Sequence, residues 1–236
     1  EAVQLLVSHG HEVVVESGAG DNANFSDNEY SEAGAKIVHD TNSVYQADII
    51  MKVEPPTLEE VGMMKGGQTL VSALQITTQS KEYIEHLLTK KITALAYEYI
   101  QDEVATIPLI RSMSEIAGNT ALLIASEYLS NVHDGKGLML GGIAGVTPTE
   151  VVIVGAGTVG ECAARAGMGL GASVKVFDNS LAKLRRLQND INARVYTSII
   201  QPKVLSKALR RADVVIGALR SNDRRTPCVI SDEMVQ

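Results

Sequence analysis

Short apolar runs alternate with longer amphipathic stretches along the chain, and this alternation predicts strand after strand with helices between them. Residues 1–8 carry the end of an amphipathic helix stopped at Gly10, and residues 11–16 (HEVVVE) read as a strand. After the Gly18-Ala19-Gly20 loop, Ser26 and Glu29 form a capping box for a short helix that stops at Gly34. Strands are expected at 35–38 and 49–53, with Ser43 capping a short helix between them. Pro55-Pro56 bars helix, and Thr57 with Glu60 repeats the capping box. Strands at 69–72 and 93–96 enclose a helix at 81–89. Strands and helices at this spacing make a parallel sheet covered on both faces, so this half is an α/β unit in its own right. A third capping box, Ser112 with Glu115, opens a long helix over 113–129 that joins this unit to the next.

The most informative pattern is VVIVGAGTVGECAARAGMGLGASVKVFD at 151–178. Four β-branched residues make a strand, and Gly155, Gly157 and Gly160 follow at G-x-G-x-x-G spacing. A helical run then reaches Leu170, Gly171 ends it, and a second strand at 173–177 delivers Asp178, 18 residues past the third glycine. Each residue has a physical task. Gly155 permits the tight turn, Gly157 has no side chain to block a pyrophosphate, and Gly160 lets the helix lie close on the strand. The helix start, with Ala156, Thr158 and Val159 in the same loop, offers free N–H groups to phosphate. Asp178 suits the two hydroxyls of an adenosine ribose and repels a 2′-phosphate, so the expected cofactor is NAD rather than NADP. The glycines alone are a weak signal; framed by strand, helix, strand and acid they are a strong one.

Helices at 181–189 and 202–210 and strands at 193–196 and 213–216 complete the pattern. Four strands from Val151 onward, against six in a complete doubly wound dinucleotide domain, predict that the domain continues past Gln236. The start at Glu1, without methionine and inside a helical pattern, likewise predicts a missing N-terminus. The expected fold is α/β with two doubly wound domains, both incomplete at the chain ends. Residues 1–112 form a flavodoxin-like substrate domain; residues 113–236 form the connecting helix and a Rossmann dinucleotide-binding domain.

Composition narrows the function classes. At 236 residues and 45% apolar, the chain can bury two cores. Its 28 acidic against 21 basic residues, net −7, argue against nucleic acid or an anionic membrane as partner. No apolar run is long enough to span a bilayer, and no signal peptide is visible. Cys162 and Cys228 lie near no other metal ligand at metal-site spacing, so no metal is expected, and a cytoplasmic protein without disulfides is the economical reading.

Lys52 ends the apolar strand ahead of Val53-Glu54-Pro55-Pro56. Ligands of parallel sheets collect at the carboxyl ends of strands, and an ammonium there suits a substrate carboxylate or a carbonyl gaining negative charge. On position alone, the ordinary alternative of a solvated lysine paired with Glu54 is favoured. None of His9, His11, His39, His86 and His133 follows a strand where an acid–base group belongs. The pairs Lys90-Lys91, Arg185-Arg186 and Arg210-Arg211 read as solvated faces.

The segments GHEVVVESGAG, FSDNEYSEAGAKIV, ADIIMKVEPP, ALAYEYI, MSEIAGN, LGGIAGVTPTEVVIVGAGTVG and VKVFDNSLAKLRRLQ together resemble alanine dehydrogenase and the related α-subunit of proton-pumping nicotinamide nucleotide transhydrogenase. The resemblance is colinear over essentially the whole chain. It implies two domains with substrate in the interdomain cleft against the nicotinamide, NAD-dependent oxidation of L-alanine to pyruvate and ammonium, and a homo-oligomer, usually a hexamer. It makes Lys52 the substrate-binding lysine, which reverses the reading from position alone. It places Gly155, Gly157, Gly160 and Asp178 in the cofactor site, Lys183 near the adenosine ribose, Ser114 near the phosphates, and Ala218 and Leu219 against the nicotinamide. By the same resemblance the substrate-binding arginine lies ahead of Glu1 and the catalytic aspartate beyond Gln236. One departure stands out. Where the family has Leu-His-Leu-Ala, with histidine as acid–base, this chain reads Leu74-Gln75-Ile76-Thr77. Glutamine hydrogen-bonds a substrate but does not shuttle a proton near neutral pH. Three readings follow: an alanine-type dehydrogenase acting on a small amino or keto acid, a transhydrogenase-like NAD(H)-binding subunit, or an NAD-binding protein without catalysis.

Overall fold

The computed structural model describes residues 1–103, 106–191, 193–220 and 226–235. The chain divides into two compact units, Glu1–Ile100 and Gln101–Gln236. Both are α/β with parallel strands throughout.

In the first unit, α1 (Ala2–Ser8) precedes β1 (Val14–Glu16), and α2 (Asp27–Glu32) leads to β2 (Lys36–Val38), which pairs with β1. Next come α3 (Thr41–Val44), β3 (Ile49–Met51), α4 (Leu58–Met63), β4 (Thr69–Ser72), α5 (Lys81–Thr89) and β5 (Thr93–Ala96). Both capping boxes expected here form, Ser26 with Glu29 and Thr57 with Glu60. The cap of α3 is a correction: Asp40, not Ser43, accepts the first-turn N–H, and Ser43 is the residue donating it. Aspartate is the stronger acceptor at that position.

Among the described residues β1-β2 and β3-β4-β5 are separate ladders. Strand order β3-β4-β5 moves steadily one way, and right-handed crossovers made in one direction put both helices on the same side. There, Val61 of α4 and Tyr83 and Leu87 of α5 bury Ile50 and Leu70. On the opposite face Ile49 and Met51 of β3 and Leu95 of β5 stay exposed, at 58%, 71% and 48%.

The second unit opens with α6 (Pro108–Leu129), a 22-residue helix. It starts earlier than the sequence pattern indicates, because proline at its first position pre-sets the helical φ. The Ser112–Glu115 capping box therefore does not form. Ser112 Oγ donates to the Pro108 carbonyl within the helix, and Glu115 pairs with Arg111. Then follow β6 (Glu150–Val154), α7 (Thr158–Gly169), β7 (Ser173–Phe177), α8 (Leu181–Asp190), β8 (Tyr196–Ser198), α9 (Pro202–Leu209), β9 (Val214–Gly217) and α10 (Asp232–Val235). β8 begins later than the expected 193–196, since the chain leaving α8 is still turning, with the Ala193 N–H on the Ile191 carbonyl.

The order β8-β7-β6-β9 reverses direction between β6 and β9, where doubly wound sheets bind ligands. Val151 and Ile153 face one core with Leu184 and Leu187 of α8 and Ala163 of α7, while Val152 and Val154 face another with Phe177 and Leu205 of α9. A strand buried on both sides needs an unbroken apolar run, and VVIV supplies it.

Helix α6 crosses α7 at Gly118, where a Cβ would strike the Val159 carbonyl and come within 2.7 Å of Cys162 Cβ. Backbone carbonyls do not move aside as side-chain ends do. Gly118→Val is expected to cost about 1–3 kcal/mol or more, read as a lower denaturant midpoint. An unchanged midpoint would mean that the two helices separate without penalty.

Candidate functional site

At the end of β6, Gly155 takes φ of 120°, a backbone conformation that side chains disfavour. A Cβ on it would run into the Ala218 carbonyl and lie 3.0 Å from the Leu219 nitrogen, so these two residues after β9 lie directly against the turn. A Cβ on Gly160 would strike the Gly155 carbonyl. Gly157 is different. It has an ordinary φ of −79°, and nothing lies within 4 Å of a Cβ built there. The protein's own packing does not demand glycine at that position, whereas close approach by a pyrophosphate would. Gly157 is also the N-cap of α7, with no side chain on the first-turn N–H groups, which suits an anion at that helix end.

Asp178 is only 6% exposed. Its Oδ2 accepts the Ala156 N–H at 2.8 Å and its Oδ1 the Ser180 N–H at 2.7 Å, which ties the glycine loop to the end of β7. Ser180 in turn caps α8 by accepting the Lys183 N–H at 3.3 Å. The Lys183 side chain is exposed, Ser114 is half-buried on α6, Ala156 is fully buried, and Thr158 and Val159 are half-buried at the start of α7. Arg186, read from sequence as part of a solvated pair, instead donates to the Ala156 carbonyl at 3.3 Å. An open apolar pocket of about 280 Å³ lies beside the ends of β6 and β9, lined by Val154, Gly217, Leu219, Cys228 and Ile230 among others.

In the first unit the carboxyl ends of β3, β4 and β5 gather the polar groups. Lys52 follows β3, its N–H on the Val71 carbonyl at 3.0 Å. Its expected partner Glu54 is corrected: Nζ lies 2.6 Å from both Oε1 and Oε2 of Glu60, in the first turn of α4. A strand-end lysine reaches the helix packed over its sheet more directly than an acid two residues along an extended chain. Burial works to raise the Glu60 carboxyl, but hydrogen bonds from the Lys52 ammonium and the Thr57 N–H, with the Lys52 charge and a bond from Tyr45, hold it below the ordinary value near 4.5. Burial first, then Glu60, pushes the Tyr45 phenol well above its usual value, so it remains a donor.

Gln75 follows β4 in a left-handed conformation, φ 46° and ψ 45°. Its N–H donates to Glu98 Oε1 at 2.7 Å, and the Leu74 N–H to Oε2 at 3.2 Å. Glu98, 7% exposed, lies in the 3₁₀ turn Tyr97–Tyr99 after β5. Tyr97 donates to the Val53 carbonyl at 2.6 Å and so ties the loop after β5 to that after β3. Lys52 and Gln75 thus stand at the same edge of one sheet.

Residues 1–117 match the family model for the alanine dehydrogenase/PNT N-terminal domain, and residues 121–236 that for its C-terminal domain. The chain belongs to the alanine dehydrogenase/PNT family. It is 36% identical over 234 residues to an alanine dehydrogenase of Mycolicibacterium smegmatis, covering 99% of the chain and 63% of the relative. The Bacillus subtilis alanine dehydrogenase is likewise 36% identical, with 99% and 61% covered. The chain therefore spans a little over three fifths of the length of these curated relatives. An L-alanine dehydrogenase structure superposes with a TM-score of 0.90 at 34% identity, over 99% of this chain and 64% of that one. A transhydrogenase from Sinorhizobium meliloti gives 0.83 at 26%, over 99% and 68%.

Sequence reasoning missed three residues of these sites in this family member. Glu60 was recognised only as a helix cap. Arg186 was taken for a surface charge. Glu98, within ALAYEYI, carried one available signal, an acid two residues past an apolar strand.

The glycines offer a contrast in stability. Gly160→Ala should lower the unfolding free energy by about 1–3 kcal/mol through backbone collision. Gly157→Ser, which adds a favoured cap in open space, should leave it within about 0.5 kcal/mol or raise it slightly. Equal losses in chemical denaturation would overturn the distinction.

A second expectation concerns acid. Because the folded Glu60 carboxyl holds its proton less tightly than in the unfolded chain, its contribution is complete above about pH 4.5 and fades as pH falls through the lower folded value. Glu60→Gln should therefore flatten the loss of stability on acidification from pH 7 to 3. Parallel wild-type and variant curves would refute this.

Proposed function

We propose that the protein is an NAD-dependent amino-acid dehydrogenase that oxidises L-alanine to pyruvate and ammonium. The observation that carries this reading is the 36% identity with alanine dehydrogenases over 99% of the chain. The residues present fit the cofactor. The first turn of α7 receives the pyrophosphate past Gly157, with Ala156, Thr158 and Val159 in the same loop and Ser114 nearby. Each Asp178 oxygen uses one acceptor site on the protein and keeps another for a ribose hydroxyl, beside Lys183. NAD, when bound, accepts the hydride from the substrate carbon, with Ala218 and Leu219 on the nicotinamide side. L-alanine, NAD⁺ and water give pyruvate, ammonium, NADH and one proton. Lys52 holds the substrate carboxylate or the carbonyl oxygen that gains charge. Gln75 orients the substrate by hydrogen bonds and moves no proton. A homo-oligomer and a cytoplasmic location rest on the family resemblance and composition.

Gln75 favours one second reading, a transhydrogenase-like NAD(H)-binding subunit, because hydride passing between two nicotinamides needs no acid–base side chain. NADH formation with L-alanine, and then with other small amino acids, separates the two. The dehydrogenase should form NADH, and Lys52→Ala should cut turnover about ten- to a hundredfold at unchanged NAD affinity, since one charge-assisted contact is worth about 1.5–3 kcal/mol. Gly157→Ser should weaken NAD at least about tenfold while the fold is kept. No NADH from any amino acid, with Lys52→Ala silent, would sink the dehydrogenase reading.

A further inference from the structure

We propose that Arg186 is a positioning residue for the dinucleotide: by holding the Ala156 carbonyl it aims the Gly157 N–H at a pyrophosphate oxygen, which rests on the reading of the glycine loop as the NAD site. Ala156, between the first two glycines, is held at both of its polar atoms. Its N–H donates to Asp178 Oδ2 at 2.8 Å, and its carbonyl accepts from the Arg186 guanidinium at 3.3 Å. One partner follows β7 and the other stands on α8. On the far side of the guanidinium, Nε lies 3.9 Å from Asp190, one turn further along α8.

A peptide is planar and trans, so its carbonyl and its N–H point in opposite directions. The Ala156 carbonyl and the Gly157 N–H belong to the same peptide. Fixing the carbonyl toward α8 therefore fixes the N–H away from it. That N–H meets no acceptor among the described residues. The Gly157 carbonyl, by contrast, already takes the first bond of α7, from the Glu161 N–H at 2.9 Å. Gly157 thus carries the first of the free donors at the start of α7, in a place where a Cβ would meet nothing within 4 Å. Glycine backbone turns easily, and glycines flank Ala156 on both sides. Asp178 holds only the preceding peptide, Gly155–Ala156. Arg186 holds the following one. A donor already aimed loses less freedom when its ligand arrives, and a hydrogen bond accepted at one end of a peptide strengthens the donor at the other.

Arg186→Met removes the donor and keeps much of the stem. In calorimetric titration of the intact protein, NADH affinity should fall about three- to tenfold, as the loss of one hydrogen bond implies. ADP, which carries a pyrophosphate, should weaken in the same ratio. Adenosine, which carries none, should bind within about 1.5-fold of wild type by ligand-observed NMR, since Asp178 is untouched. Arg186→Lys keeps a donor and should recover NADH affinity to within about twofold. The Arg186→Met deficit should persist in roughly 1 M NaCl, where charges are screened within about 3 Å. A deficit that vanishes in salt would be simple charge attraction, and equal weakening of adenosine would be a general loosening of the loop. Either result overturns the proposal, as does unchanged NADH affinity. In amide proton–nitrogen spectra of the protein alone, the Gly157 peak should move in Arg186→Met and return toward its wild-type position in Arg186→Lys. A peak that stays in place also overturns it. A wild-type protein that binds no NADH defeats the NAD reading of the loop, and the proposal falls with it.

Discussion

A carboxylate that turns back onto backbone N–H groups shapes the carboxyl ends of the strands in both units. Asp178, after β7, bonds the Ala156 N–H in the loop after β6. Glu98, after β5, bonds the Leu74 and Gln75 N–H groups in the loop after β4. In each case the acid of one strand end fixes the loop of its neighbour. Loops at the mouth of a parallel sheet lose water without gaining a ladder partner, and each buried donor left unpaired costs about 1–3 kcal/mol. A carboxylate answers two such donors at once with strong, short bonds. The same bonds satisfy the acid, which would otherwise resist burial. The glycine loop and the left-handed Gln75 are both held in this way.

The dinucleotide half was almost wholly legible in the sequence because several independent signals coincide there. The VVIV run, three glycines at fixed spacing, Gly171 and the second strand each restrict the chain locally, and β6, α7 and β7 form where those signals lie. The Ser26 and Thr57 capping boxes succeeded for the same reason, since all their partners are within three residues. Ser112 failed despite the right spacing because Pro108 had already opened the helix.

Partners brought together by folding were not legible. Glu98 reaches Leu74 and Gln75 across 23 or 24 residues, Arg186 reaches Ala156 across 30, and nothing in local spacing announces either. Glu60 shows a subtler concealment. Its capping role explains the residue so completely that no reason remains to look for a second duty, yet its carboxylate also holds Lys52. Which face of the β3-β4-β5 sheet α4 and α5 cover was likewise not legible, because only strand order decides it.

The anchoring of Asp178 also bears on how such a chain can evolve. An acid that touched only a ribose could be exchanged freely when a lineage changes its preferred dinucleotide. Here the same side chain carries the glycine loop through Ala156 and the start of α8 through Ser180. A single exchange to a small or basic residue would slacken both supports at once. An exchange at Asp178 would keep the loop in place only where another residue, such as Arg186 on the Ala156 carbonyl, carried it instead.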